Sequence, residues 1–229
     1  ELKKSLGIHP NHKVILCLGR VAKEKSIDMI IRAMPTISAA NGDVRMLIVG
    51  TGPALTALKE CAEKYRVSDK VIFAGSAPYN EIAKYYRLGD IFVSCSVTET
   101  QGLTYYEAMA SGLPVVARID ESVSSLLMDG SNARLFRDEK ELPEILESLI
   151  GNTDTLRLFS ANAQKSVQEY SATIFAERVL NAYSATIDRK RLYRESQRPV
   201  PLHIPVSKAL RKVKLVMPIA SRFFPKDQN

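Results

Sequence analysis

Two pairs of residues have types and settings that could do chemistry. Arg20 and Lys25 lie in Gly19-Arg20-Val21-Ala22-Lys23-Glu24-Lys25-Ser26, a loop between the apolar run 14–18 (VILCL) and a stretch of helical period. Two cations and the amides of a helix start can converge there on a phosphate; a pair of ordinary surface cations would explain the same residues. Glu99 and Glu107, with seven residues between them, form the second pair. A carboxylate at a loop mouth can accept from sugar hydroxyls, and one two turns deeper can accept from a nucleotide ribose. The loop amides between them are poised for phosphate oxygens. Taken bare, two Glu at this spacing would be unrelated surface residues. The setting argues otherwise: Gly102 precedes the helix, Gly112 follows it, and Pro114 opens a new apolar strand.

Other reactive types contribute little. Gly50-Thr51-Gly52-Pro53 would allow close approach of a ligand to the backbone, but Leu55 stands where a third glycine belongs, and the first loop has only Gly19. The GxGxxG fingerprint of a dinucleotide site is therefore not written here. Cys17, Cys61 and Cys95 are odd in number and lack a CxxC, which excludes a disulfide framework or thiol metal site and fits a reducing compartment. His9, His12 and His203 fall in the entry and proline-rich segments and read as solvent-exposed residues rather than catalysts.

These loops need a scaffold, and the hydrophobic periods supply one. Apolar runs at 14–18, 44–49, 71–74, 91–94 and 114–117 lack in/out alternation, and each of the first four leads into a segment of helical spacing. Strands buried on both faces, joined by right-handed helical crossovers, make a doubly wound α/β domain with a parallel sheet. In such a sheet the ligand sits beyond the carboxyl ends of the strands, where Arg20, Lys25, Glu99 and Glu107 fall. Residues 140–150, 153–170 and 174–187 read as closing helices, and SQRPVPLHIP (196–205), with three prolines, as an extended linker.

Charge divides the chain of 229 residues. Residues 1–188 hold 21 Lys+Arg against 23 Asp+Glu, whereas 189–229 hold 11 against 2, so the net +7 comes from the tail. A near-neutral body argues against nucleic acid as its ligand. In the tail, Val206, Ala209, Leu210, Val213, Val216 and Met217 share one helical side and Lys208, Arg211, Lys212 and Lys214 take the other, with Leu215 the exception; Pro218 ends or kinks the helix, and Phe223-Phe224 follow. A basic amphipathic helix of this kind lies on an anionic leaflet, each cation contributing roughly 1 kcal/mol. A helix packing back on another domain is the alternative.

From about 13 to 187 the chain resembles the C-terminal, donor-binding domain of retaining nucleotide-sugar glycosyltransferases of the GT-B fold, in the large family numbered four. The resemblance is carried by LGRVAKEKS, LIVGTGP, VIFAGSAPYNEIAKYYRLGDIFVSCSVTETQGLTYYEAMASGLPVVA and MDGSNARLF. It implies that Arg20 and Lys25 hold the donor diphosphate and stabilise the leaving group, in place of a metal. It further implies that Glu99 contacts hydroxyls of the donor sugar, that Glu107 hydrogen-bonds the ribose, that the amides of Gly102, Leu103 and Thr104 face the phosphates, and that Gly75 and Ser76 edge the base. The chain departs from the family pattern at Ala133, where Asn-Gly is usual, and at Asp120-Glu121-Ser122, where many members carry Gly-Gly.

The resemblance also implies a missing N-terminal Rossmann domain that holds the acceptor. With no initiator Met and no signal segment, the opening ELKKSLGIHPNHK reads as an internal cut. Residues 1–12 are then a linker remnant, 13–188 the nucleotide-sugar domain, and 189–229 a basic linker and tail. The expected activity is hexosyl transfer from UDP-glucose or UDP-galactose, with no cofactor or metal and with no transfer by this half alone. The segment ARIDESVSSLLMDGSNARLF resembles diacylglycerol glucosyltransferases of Gram-positive bacteria, which together with the tail implies a lipid acceptor. The expected location is cytoplasmic, on the inner face of the plasma membrane, seated through 206–224. The rival expectation is a non-catalytic membrane- or nucleic-acid-binding module acting through the tail.

Overall fold

The computed structural model describes residues 1–96, 102–119 and 125–196. The chain divides into two units, Glu1–Ser171 and Ala172–Asn229. The first holds six strands, β1 (Lys13–Leu18), β2 (Val44–Val49), β3 (Val71–Gly75), β4 (Ile91–Ser94), β5 (Val115–Arg118) and β6 (Ala133–Phe136), in one sheet of order β3-β2-β1-β4-β5-β6. Every pairing is parallel; β1 runs beside β2 from Lys13↔Val44 to Leu18↔Val49, and beside β4 at Ile15↔Ile91 and Leu16↔Phe92. This is the doubly wound α/β domain that the apolar runs predict.

Among this unit's described residues are the α-helices α1 (Leu2–Ser5), α2 (Asp28–Ala40), α3 (Leu55–Lys64), α4 (Ile82–Tyr86), α5 (Leu103–Ala110), α6 (Leu142–Ile150) and α7 (Thr153–Val167). Because side chains alternate along a strand, each strand feeds both faces of the sheet. Ile15, Cys17, Met46, Ile48, Ile91 and Val93 join the core built with α2, α3 and α6. Val14, Leu16, Leu47, Val49, Phe92 and Val115 join the one built with α4, α5 and α7. Residues Ile30, Ile31, Met34 and Ile37 of α2 repeat at helical spacing and are all buried, each worth about 1.5–3 kcal/mol of apolar burial. A polar clamp reinforces this layer. Arg32 of α2 meets both Glu139 oxygens, at 2.5 and 2.8 Å, and also pairs with Asp28, so the turn before α6 is held against α2.

The sequence reading holds for the first five strands and misses β6. This edge strand is four residues long, and its two middle residues, Arg134 and Leu135, are only half-buried, so it lacks the continuous apolar run that marks the others. The second unit contributes α8 (Ala172–Ser196), which runs past the expected end at 187. Residues 188–196 contain neither proline nor glycine, and helix formers such as Arg, Lys and Leu dominate them. Phe175, Leu180, Tyr183 and Ile187 of α8 are exposed. Among the described residues no helix is long and apolar enough to cross a membrane. The expected linker beyond 196 and the amphipathic segment 206–224 lie outside the described residues.

A buried amide fixes the approach to β6. Asn132 Nδ2 donates to the Leu126 carbonyl at 3.0 Å and to Ser166 Oγ at 2.8 Å, while its Oδ1 accepts from the Met128 amide at 2.8 Å. The side chain thus ties the turn before β6 to α7. Asn132→Ala leaves the Met128 N–H and the Leu126 carbonyl without this partner and is expected to cost about 2–3 kcal/mol, read as a lowered midpoint in urea unfolding.

Candidate functional site

Strand order reverses at β1: the chain leaves it to build β2 and β3 on one side, then crosses to β4 on the other. The loops after β1 and β4 therefore diverge, and the crevice between them is where a doubly wound sheet takes its ligand. A cleft of about 610 Å³ lies there. Five of the residues singled out in the sequence line it: Arg20 and Lys25 from the loop after β1, and Gly102, Leu103 and Thr104 at the start of α5.

Backbone contacts set the course of the first loop. The pairing of β1 with β2 continues past the strands, with the Gly19 amide donating to the Val49 carbonyl at 3.0 Å and the Val21 amide to the Thr51 carbonyl at 2.9 Å. The Ala54 amide returns to the Val21 carbonyl at 3.1 Å. The chains come so near that a Cβ on Gly50 would sit 1.8 Å from the Gly19 oxygen, and one on Gly52 would sit 2.2 Å from the Val21 oxygen. The GxG at 50–52 therefore admits the chain's own backbone, where the sequence suggested room for a ligand. With Val21 and Ala22 buried, the loop is anchored before it turns through a short 3-10 segment, Lys23–Lys25, into a left-handed Ser26 (φ 47°, ψ 38°). That conformation costs a non-glycine residue about 1–2 kcal/mol and redirects the chain into α2.

On the opposite wall, Gly102 (φ 57°, ψ 36°) precedes α5 in a left-handed conformation suited to glycine, which has no side chain to cap the helix. The positive end of the α5 dipole and its first-turn amides border the cleft, which suits an anion. Arg20 is two-thirds exposed and forms an ion pair with Glu24, which also lines the cleft. Its guanidinium thus has a carboxylate partner before any ligand arrives. The floor is made partly of Cys17 and Cys95. Burial pushes the Cys17 thiol well up and the Cys95 thiol up to about 12, so both stay protonated and act as apolar lining.

Three other singled-out residues stand apart from the cleft lining. Glu107 lies on α5 one turn past Thr104, and its Oε2 accepts from the Tyr86 phenol at 2.7 Å. Gly75 closes β3 with its carbonyl receiving the Gly50 amide at 2.7 Å, and Ser76 is exposed beyond it. Glu99 and the 120–122 segment lie outside the described residues. Ala133, where the family pattern departs, is fully buried in β6. One histidine reading needs correction. His12 is buried, with its Nδ1 accepting from the His9 amide at 3.0 Å, so it serves the turn before β1; burial and the nearby Arg45 lower its pKa.

A cleft lined by two anion-attracting elements at the switch point of a doubly wound parallel sheet belongs to the α/β fold that forms one half of GT-B glycosyltransferases. The chain belongs to the family described as Glycosyl transferases group 1, which matches residues 1–166. It is 36% identical over 184 residues to the alpha-monoglucosyldiacylglycerol synthase of Streptococcus pneumoniae, covering 80% of this chain and 41% of that protein. The enzyme of the same name from Acholeplasma laidlawii is 32% identical over 188 residues, covering 82% and 47%. The chain thus spans less than half the length of these relatives. Among solved structures, an S. aureus TarM variant in complex with Fondaparinux, alpha-GlcNAc-glycerol and UDP superposes with a TM-score of 0.68 at 25% identity, covering 76% of this chain and 37% of that one.

The close approach of the two loops makes Gly52 the sensitive position. Gly52→Ala combines an unfavourable φ of 158° with a clash against the Val21 carbonyl, which cannot swing aside as a side chain would. A loss of about 2–4 kcal/mol is expected from overpacking and backbone strain together, measured by thermal or urea unfolding.

Proposed function

We propose that this chain is the donor-binding half of a retaining hexosyltransferase that uses UDP-glucose or UDP-galactose and delivers the hexose to a membrane lipid such as diacylglycerol. The observation that carries the reading is the cleft at the β1/β4 switch point, lined by Arg20 and Lys25 on one wall and by Gly102, Leu103 and Thr104 on the other. Family membership supports transferase chemistry. The names of the two synthases support a glucosyl donor and a diacylglycerol acceptor, and the UDP bound to TarM supports a uridine nucleotide.

In this reading the diphosphate lies between the α5 N-terminus and the two cations. As the bond from the sugar's anomeric carbon to the diphosphate breaks, negative charge grows on the leaving phosphate oxygens. Arg20, Lys25 and the amides of Leu103 and Thr104 stabilise that charge more in the transition state than in the bound donor, doing the work a metal does elsewhere. Glu107 accepts from the ribose hydroxyls, Glu99 from those of the sugar, and Gly75 and Ser76 border the base. Transfer itself requires an acceptor-binding half, so this chain alone binds donor without turnover.

Titrating the full chain with UDP and with uridine tests the site. UDP is expected to bind the more tightly, and Arg20→Ala or Lys25→Ala to weaken UDP about 10- to 100-fold, as expected for the loss of one charged hydrogen bond, while leaving uridine unchanged. Equal affinities for UDP and uridine, or UDP binding that survives both substitutions, would sink the reading.

A lipid acceptor calls for a membrane-seated enzyme, and the 11 basic against 2 acidic residues of 189–229 support peripheral binding to the cytoplasmic face of the plasma membrane through 206–224. Sedimentation with vesicles rich in anionic lipid is expected for the full chain, diminishing as salt rises and lost when 197–229 is removed. Nucleotide affinity should survive that truncation. If vesicle binding persists without 197–229, the tail is not the anchor.

A further inference from the structure

The hydrogen bond from Tyr86 to Glu107 joins two helices that the sequence gives no reason to connect. Tyr86 is the last residue of α4 and is 1% exposed. Its ring packs in the core formed with α5, 6.1 Å between centroids from Phe92, which in turn meets Tyr105 of α5 edge-on at 5.9 Å. A ring held this way has little freedom, so the position of its hydroxyl is set by the core. That hydroxyl lies 2.7 Å from Glu107 Oε2 and 3.4 Å from the Thr104 carbonyl. The phenol remains the donor across the accessible pH range, because burial and the Glu107 carboxylate both push its pKa far up.

Glu107 is half-buried and three residues beyond Thr104, which places the two on one face of α5. Thr104 lines the cleft. A glutamate at such a position has three side-chain torsions to fix before it can accept from a ligand, and that ordering weakens binding. With Oε2 engaged by a rigid donor, the torsions are already fixed and acceptor capacity remains on the carboxylate.

We propose that Tyr86 is a positioning residue for the donor's ribose, holding the Glu107 carboxylate in one orientation so that its remaining acceptor sites meet the 2′- and 3′-hydroxyls. The proposal rests on the reading of Glu107 as the ribose acceptor and adds to it the residue that prepares it. Tyr86 touches no substrate; it acts through Glu107. The proposal also assigns the buried polar tip of Tyr86 a purpose that core packing alone would not require, since phenylalanine would fill the same volume.

The test uses the full chain, UDP, and 2′,3′-dideoxyuridine diphosphate, measured by calorimetry on the unaltered protein, Tyr86→Phe, Glu107→Ala and the double variant, with melting temperatures alongside. Tyr86→Phe is expected to weaken UDP roughly three- to tenfold, to leave the dideoxy nucleotide unchanged, and to have no further effect once Glu107 is alanine. Three outcomes overturn the proposal: no change in UDP affinity, an equal loss for both nucleotides, or the same loss in the Glu107→Ala background. The last two would show that Tyr86 merely supports the fold. If Glu107→Ala itself leaves UDP affinity unaltered, the ribose reading of Glu107 falls, and that failure is distinct from the others.

Discussion

The loop that carries Arg20 and Lys25 takes its course because two stretches of backbone can touch. Gly50 and Gly52 present no side chain toward Gly19 and Val21, so hydrogen bonds of the β1/β2 pair continue beyond the strands, and the loop is held by main chain on its outer side. With side chains at those positions the loops would separate, and the cations would lose their place relative to α5. The placement of Arg20 and Lys25 beside the start of α5 thus depends on an approach distance as much as on the charged residues themselves.

That constraint works because the sheet beneath it is rigid and its centre is doubly secured. β1 is buried on both faces, between one core with α2, α3 and α6 and another with α4, α5 and α7. At its start Asp90, just ahead of β4, accepts from the Val14 amide at 2.8 Å and from Lys13 Nζ at 3.3 Å, fastening the two strands whose following loops form the cleft. The Asp90 pair is partly exposed, and its worth lies in the backbone hydrogen bond more than in the ion pair.

Much of this was legible in the residues alone. Five strands are visible as continuous apolar runs because a strand covered on both faces cannot alternate, and placement at strand ends puts Arg20 and Lys25 at the crevice, whereas Gly102, Leu103 and Thr104 are named by the family resemblance. What escaped the sequence depended on contacts between distant positions. Gly50 and Gly52 face a loop some thirty residues earlier, Tyr86 meets Glu107 across 21 residues, and Asn132 reaches Ser166 across 34. No local pattern announces such a pair. β6 escaped for another reason: an edge strand with a half-buried middle resembles a loop in composition. The Arg20–Glu24 pair, by contrast, is local: Glu24 lies four residues after Arg20, a spacing at which side chains meet.

That pair alters the economy of the cleft. A guanidinium surrounded only by water and mobile ions would bind an anion by releasing those ions to the bulk, and the affinity would fall steeply with ionic strength. Arg20 already has its own tethered counterion in Glu24. In the proposed reading, an arriving diphosphate would replace Glu24 on the same guanidinium, and the displaced carboxylate would stay attached to the protein. An exposed pair of this kind is worth about 0–1 kcal/mol, so the exchange costs little. Recognition of a diphosphate at Arg20 would then be a substitution within the loop, shallow in its salt dependence and selective for anions that grip the guanidinium better than Glu24 does.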